Sequence, residues 1–241
     1  MLRNHCIYCC TLCFIKMNIK IASSADAERI TRLRTEAYTV ATGTKLIDNT
    51  FLQWSTLDEQ SIVLYVEDDF GQALSSMRSI KVDDAPTLEA LFDIRLPAGI
   101  EFPVLAMDRL VTLIDYRRMR LTGNMRQLML QACLNAELPN LVITIQEGAS
   151  RIEFLTVMGY RFEPADVSHR TTSSFKNSSQ ALFGCLNHLN YPQALAHNES
   201  ILKVPMESFT VAPSVYSTIH QSLTGNTADP VAPDVVEDPV P

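Results

Sequence analysis

The sequence predicts an α/β (α+β) fold, a mixed central sheet flanked by helices. Three observations lead to it. Strand-like and helix-like patterns succeed one another along the chain, as they do where helices cover a sheet. Residues 140–146 (NLVITIQ) are almost wholly apolar, the mark of a strand covered on both faces. Residues 108–136 pass from a β-branched apolar stretch through an arginine-rich turn straight into an amphipathic pattern. That last stretch is a strand feeding the N-terminus of a helix, where unpaired N–H groups and a positive dipole end favour phosphate.

The elements follow in order. Residues 18–22 alternate and make a first strand. Ser24 is the expected N-cap of a helix over 25–38, with Ile30, Leu33 and Ala37 on one face. Residues 40–55 are weakly patterned, with Phe51, Leu52 and Trp54 forming a short helical flap. Residues 61–67 (SIVLYVE) and 72–80 read as a hairpin around Asp68-Asp69-Phe70-Gly71. A connection holding Pro86 and Pro97 fills 81–99, with one helical turn at 88–92. Residues 102–113 are the central strand. The long helix, 121–136, buries Leu121, Met125, Leu128, Met129 and Ala132. A helix over 149–158 ends at Gly159, and a strand starts at Tyr160. Residues 169–179 are Ser/Thr-rich loop, 180–189 a helix, and 201–211 a last extended piece. Three segments result: a Cys-rich extension over 1–16, a folded domain over 17–211, and an acidic, proline-rich tail over 212–241 that stays unfolded.

With 241 residues, 46% of them hydrophobic, the chain can bury a full core. Its net charge of −7 argues against nucleic-acid binding. The balance reverses locally, where Arg95, Arg109, Arg117, Arg118, Arg120 and Arg126 outnumber Glu101, Asp108 and Asp115. Such a patch suits a compact anionic ligand or an acidic carrier protein. Cys6, Cys9, Cys10 and Cys13 crowd the N-terminus while Cys133 and Cys185 stand apart, which is not a secreted disulfide framework. The cluster lacks the second, separate ligand pair of structural zinc sites, so no metal is expected. Neither a signal peptide nor a bilayer-spanning stretch stands out, so a cytoplasmic protein without stable membrane insertion is expected. No G-x-G-x-x-G or P-loop pattern follows a strand, and the histidines show no triad or metal spacing.

The turn Tyr116-Arg117-Arg118-Met119-Arg120-Leu121-Thr122-Gly123 resembles the acyl-CoA-binding motif of the GNAT N-acyltransferase superfamily, Arg/Gln-x-x-Gly-x-Gly/Ala. Arg118 matches its first position and Gly123 its last, while Leu121 stands where the first glycine is expected. Residues 149–162 (ASRIEFLTVMGYRF) resemble the superfamily's later helix and the "GF" or "GY" strand start after it. Within the superfamily the chain is most similar to N-acyl amino acid synthases and acyl-homoserine-lactone synthases. Leu33-Arg34 with Tyr38, an arginine late in the third strand (Arg78), and Arg109-Leu110 match their pattern. Ala106 departs from it, standing where those synthases carry a glutamate. The similarity spans residues 18–162.

This resemblance implies a mostly antiparallel GNAT-like sheet and transfer of an acyl group from acyl-CoA or an acyl-carrier protein to the amine of a small molecule, an amino acid or a relative. The pantetheine would pair with Leu110, Val111, Thr112 and Leu113, whose main chain would polarise the thioester. Arg118, Met119, Arg120, Leu121, Thr122, Gly123 and Asn124 would hold the pyrophosphate. Arg34, Tyr38 and Arg78 would bind substrate, and Leu105, Met107 and Met158 would line the acyl chain. Asp108, Arg109 and Glu101 are the catalytic candidates, with Asp115 and Glu147 as further carboxylates. Arg109, inside an apolar strand, needs a partner, Asp58 or Glu59. The alternative is a non-catalytic module that binds or senses an acyl thioester.

Overall fold

The computed structural model describes residues 16–42, 50–168 and 181–225. The chain runs β1 (Met17–Ile21), α1 (Ala27–Thr42), α2 (Thr56–Glu59), β2 (Ile62–Glu67), β3 (Ala73–Val82), α3 (Ala85–Phe92), β4 (Val104–Thr112), α4 (Leu121–Asn135) and β5 (Asn140–Gln146). It continues with α5 (Ile152–Val157), β6 (Arg161–Pro164), β7 (Ala181–Asn187), α6 (Tyr191–Ser200), β8 (Phe209–Val211) and α7 (Pro213–Thr224). The eight strands form one sheet in the order β6-β7-β5-β4-β3-β2-β1-β8. Its pairs are antiparallel except β4 with β5 and β1 with β8. The expected mixed, mostly antiparallel sheet is therefore present.

Alternate strand residues face opposite sides, and the register sorts them. Val82, Val104, Ala106 and Val142 meet Leu88 and Phe92 of α3. On the other face Met77, Leu105, Met107 and Leu141 join the larger core with Leu121, Met125 and Met129 of α4. The register of β3 and β4 slips once: Arg78 pairs with Asp108 but Ser76 with Val111, so β4 carries one extra residue there. That bulge is the main departure from regular strand in the centre of the sheet.

Local chemistry explains most boundaries. Ser23, one residue before the expected cap, binds Asp26 through its N–H (3.0 Å) and hydroxyl and opens a 3₁₀ turn into α1. In the 81–99 connection Asp84 caps α3 by accepting from the Thr87 N–H at 2.9 Å, with Pro86 in the first turn, so a full two-turn helix replaces the single turn expected.

Three expectations are corrected. Residues 180–189 were read as helix, but Ala181–Asn187 is strand β7, held between β5 and β6. Gly184 belongs to that arrangement: a Cβ there would come within 2.5 Å of the Phe162 ring and 3.0 Å of Ile143. The tail was expected to begin at 212, yet Pro213–Thr224 forms α7. Val215, Ile219 and Leu223 lie one turn apart and are buried, Pro213 sits in the first turn, and Gly225 (φ 73°) closes the helix. Of the expected extended piece over 201–211, only Phe209–Val211 is strand. The N-terminal cysteines, the 169–179 loop and the acidic end of the tail lie outside the described residues. Among those described, no helix is long and apolar enough to cross a membrane.

Candidate active site

The β4 bulge does more than bend the strand. Consecutive residues of a regular strand point to opposite faces, but Arg109 adopts φ 49° within the bulge, and its side chain reaches the same cluster as Asp108. Arg109 Nη1 lies 3.0 Å from Asp58 Oδ2. Arg34, from α1, puts Nη2 2.7 Å from Asp58 Oδ1. Arg78, from β3, binds Asp108 with Nε at 2.7 Å and again with Nη2, and its Nη1 is 3.7 Å from Asp58. The partner sought for Arg109 is thus Asp58, not Glu59. Asp58 is held from below as well, since it accepts from the N–H (2.9 Å) and hydroxyl of Ser55 and so caps α2.

Three arginines face two aspartates, and Arg34, Arg78 and Asp58 are buried. Burial alone would raise the Asp58 carboxyl, but the Arg34 hydrogen bond and the charges of Arg34, Arg109 and Arg78 outweigh it and hold it below its ordinary value. Burial, with repulsion from Arg78 and Arg34, pushes Arg109 down to about 10. Among the described residues Nε and Nη1 of Arg34 have no hydrogen-bond partner, and three arginines against two aspartates leave the cluster one surplus positive charge. Tyr38, one turn after Arg34, stacks edge-on against Phe51 with centroids 5.4 Å apart. Burial and then the Asp108 charge raise its phenol. Beside Asp58 a cleft of about 740 Å³ opens between Trp54, Glu59, Ser79, Lys81 and the α7 residues Thr218 and Ser222.

The other half of the site is main chain. β4 pairs with β5 only from Val104↔Asn140 to Met107↔Ile143, although both strands continue. Beyond Met107, β4 stays with β3 alone: Ser75 Oγ donates to Val111 O (2.7 Å) and lies 2.9 Å from Thr112 Oγ1, and Leu113 N–H donates to Leu74 O. The edge of Leu110–Thr112 toward β5 therefore has no strand partner among the described residues.

The turn after β4 divides its arginines. Arg117 Nη2 donates to Ala37 O (3.2 Å), and Arg120 Nη1 to Ile201 O (3.2 Å). Arg118 is exposed and has no partner among the described residues. Arg120 takes φ 57° and its carbonyl accepts the Gly123 N–H at 2.7 Å, which tightens the entry to α4. Leu121 is core, Met119 packs against it, and Thr122 is half-buried. Asn124 is buried and donates to Val204 O at 2.8 Å. Gly123, at the last small position of the motif, lies under the C-terminal segment. A Cβ on it would stand 3.0 Å from Leu202, and its carbonyl accepts from Asn198 Nδ2 at 2.9 Å.

Arg34, Tyr38, Arg78, Asp108 and Arg109 are thus brought together beside the open edge of β4. Glu101 is not: it is exposed before the first residue of β4, with its carbonyl held by Asn140 Nδ2 at 2.9 Å. Sequence reasoning did not find Asn198 or the setting of Arg126, both of which depend on α6 crossing α4. An arginine inside the apolar pattern of α4 was the signal available.

The sequence matches no family model and no curated protein. Its fold does match solved structures. One is the CoA-dependent acyl-homoserine lactone synthase BjaI with SAM and isopentyl-CoA, at TM-score 0.59 and 11% identity over 86% of this chain and 99% of that one. Another is FeeM, an N-acyl amino acid synthase from uncultured soil microbes, at TM-score 0.50 and 12% identity over 75% and 98%. The chain has a GNAT-like fold.

Proposed function

We propose that the protein is an N-acyltransferase that moves an acyl group from acyl-CoA or an acyl-carrier protein to the amine of a small molecule, an amino acid or a relative. The observation that carries this reading is the parting of β4 from β5 after Met107↔Ile143, directly beside a buried cluster of arginines and aspartates. An unpaired strand edge accepts an amide-bearing chain such as pantetheine as an added strand. Main-chain N–H groups of the bulge then polarise the thioester carbonyl. Arg118 and the first-turn N–H groups of α4 take the donor's phosphates. That BjaI was solved with isopentyl-CoA supports a CoA thioester as donor.

The acceptor enters from the cleft beside Asp58. A cluster with one surplus positive charge favours an acceptor that carries a carboxylate next to its amine. Both Asp108 oxygens are engaged by Arg78, so proton removal from the amine runs through Asp108 by way of a water rather than by a free carboxylate. Arg109 and Tyr38 position the acceptor. Since acyl thioesters are made inside the cell, the protein works in the cytoplasm.

The test is comparative mass spectrometry of extracts from cells producing the parent or Arg118→Ala. An N-acylated species made only by the parent names acceptor and chain length together. If purified protein also fails to bind any acyl thioester in a calorimetric titration, the transferase reading is wrong.

A further inference from the structure

Arg126 of α4 differs from the other buried arginines among the described residues, Arg34 and Arg78. The residue is 6% exposed and lies where α4, α5 and α6 meet. Its guanidinium carbon is 5.4 Å from the centroid of the Phe154 ring on α5, and Nη1 is 3.5 Å from Asn198 Oδ1 on α6. Arg34 and Arg78 have aspartates; Arg126 has none among the described residues. Burial, with repulsion from a second cation, Arg151, pushes its guanidinium below the ordinary arginine value. Among the described residues its Nε has no hydrogen-bond partner, and neither has the buried Tyr160 hydroxyl. A guanidinium withdrawn from water without a counter-charge is strongly unfavourable, and one ring contact recovers only part of that cost.

Its position says what would complete it. Asn198 accepts from Arg126 at one end of its amide and donates to the Gly123 carbonyl (2.9 Å) at the other. A single side-chain amide therefore separates the guanidinium from the first turn of α4. Helical side chains lean toward the N-terminus, so Arg126 leans toward the end where the dipole and Arg118 already favour an anion. We propose that Arg126 binds a phosphate of the thioester donor, the group that joins pantetheine to the rest of CoA or to a carrier protein, and that this phosphate is the counter-charge the fold lacks. The inference rests on the acyltransferase reading above.

The test is calorimetric titration of the full chain and of Arg126→Met with CoA, 4′-phosphopantetheine and inorganic pyrophosphate, alongside thermal unfolding of the free proteins. Losing a charged hydrogen-bond donor is expected to weaken CoA and pyrophosphate about tenfold or more. The free variant should melt no lower than the parent, because the cation removed was uncompensated. A purely structural arginine gives the reverse, a lower melting temperature with unchanged CoA affinity, and that result overturns the proposal. Equal weakening of 4′-phosphopantetheine is expected, because its phosphate is the one shared with carrier proteins; weakening of CoA alone overturns that assignment. If Arg126→Met does not fold, Arg126→Gln decides: it keeps a polar head but removes the charge, so unchanged pyrophosphate affinity overturns the proposal. A parent that binds none of the three ligands overturns the acyltransferase reading itself, whereas a parent that binds CoA as tightly as its variant overturns only the role of Arg126.

Discussion

The two halves of β4 differ more than any other adjoining segments of this sheet. Val104–Met107 is paired on both edges, wholly buried and apolar on both faces. Asp108–Thr112 is paired on one edge, bulged, charged at its start and strained at Arg109. One strand thus serves as anchor and as site. The first half fixes the second, because a bulge with an unpaired edge keeps its geometry only when the strand leading into it is immobile. Strain of this kind persists where the surroundings over-determine it.

The largest expected effect comes from the group that ties the second half to the body. Asp58→Ala leaves Arg34 and Arg109 buried without their carboxylate and should cost about 3–5 kcal/mol in urea unfolding. A cost near zero would mean that the three arginines repack at no expense. The acid side carries the same signature. The folded Asp58 carboxyl is held below its ordinary value of 3.8, so its contribution is complete above that pH and is lost as pH falls through the folded value. Stability measured against pH below about 4 should therefore fall less steeply in Asp58→Asn than in the parent.

Next comes the anchor. Val104→Ala leaves space at a fully buried position and should cost about 2 kcal/mol or more while the remaining folded fraction transfers acyl groups normally. Asp108→Asn should behave oppositely. Its side chain is 22% exposed, so the loss of stability is about 1–2 kcal/mol, but acyl transfer should fall about a hundredfold or more. Equal behaviour of the two variants in both assays would erase the division between the halves.

How far the sequence reveals this division can be followed residue by residue. An arginine in an apolar strand demands a carboxylate, and that demand pointed to Asp58 or Glu59, of which the fold brings the first to Arg109. The strand-turn-helix junction was legible because β-branched, arginine-rich and amphipathic stretches follow each other without a gap. The bulge was not: nothing in Asp108-Arg109-Leu110 distinguishes a positive φ from regular strand, and only the register against β3 does. ALFGCLN was misread because a short apolar run fits helix or strand equally well, and its assignment comes from β5 and β6 on either side. Gly123 was legible as the motif's small residue, but the approach of Leu202, which also requires it to be small, was not. Helix α7 was hidden by its neighbours, since the acidic, proline-rich composition beyond it coloured the reading of a segment whose Val215, Ile219 and Leu223 spacing was present all along.

The smallest effect is the sharpest probe of the bulge. Arg109→Gly and Arg109→Ala both remove the guanidinium and its bond to Asp58, so any difference between them reports the backbone alone. At φ 49° a Cβ is disfavoured by about 1–2 kcal/mol while glycine is at ease. Glycine loses more freedom on folding and gives back a few tenths of a kcal/mol to about 1. The glycine variant should therefore unfold at a higher urea concentration than the alanine variant, by about 1 kcal/mol or less. If alanine proves the more stable, residue 109 lies in extended backbone in solution, and the open edge of β4 would then need another origin than the bulge.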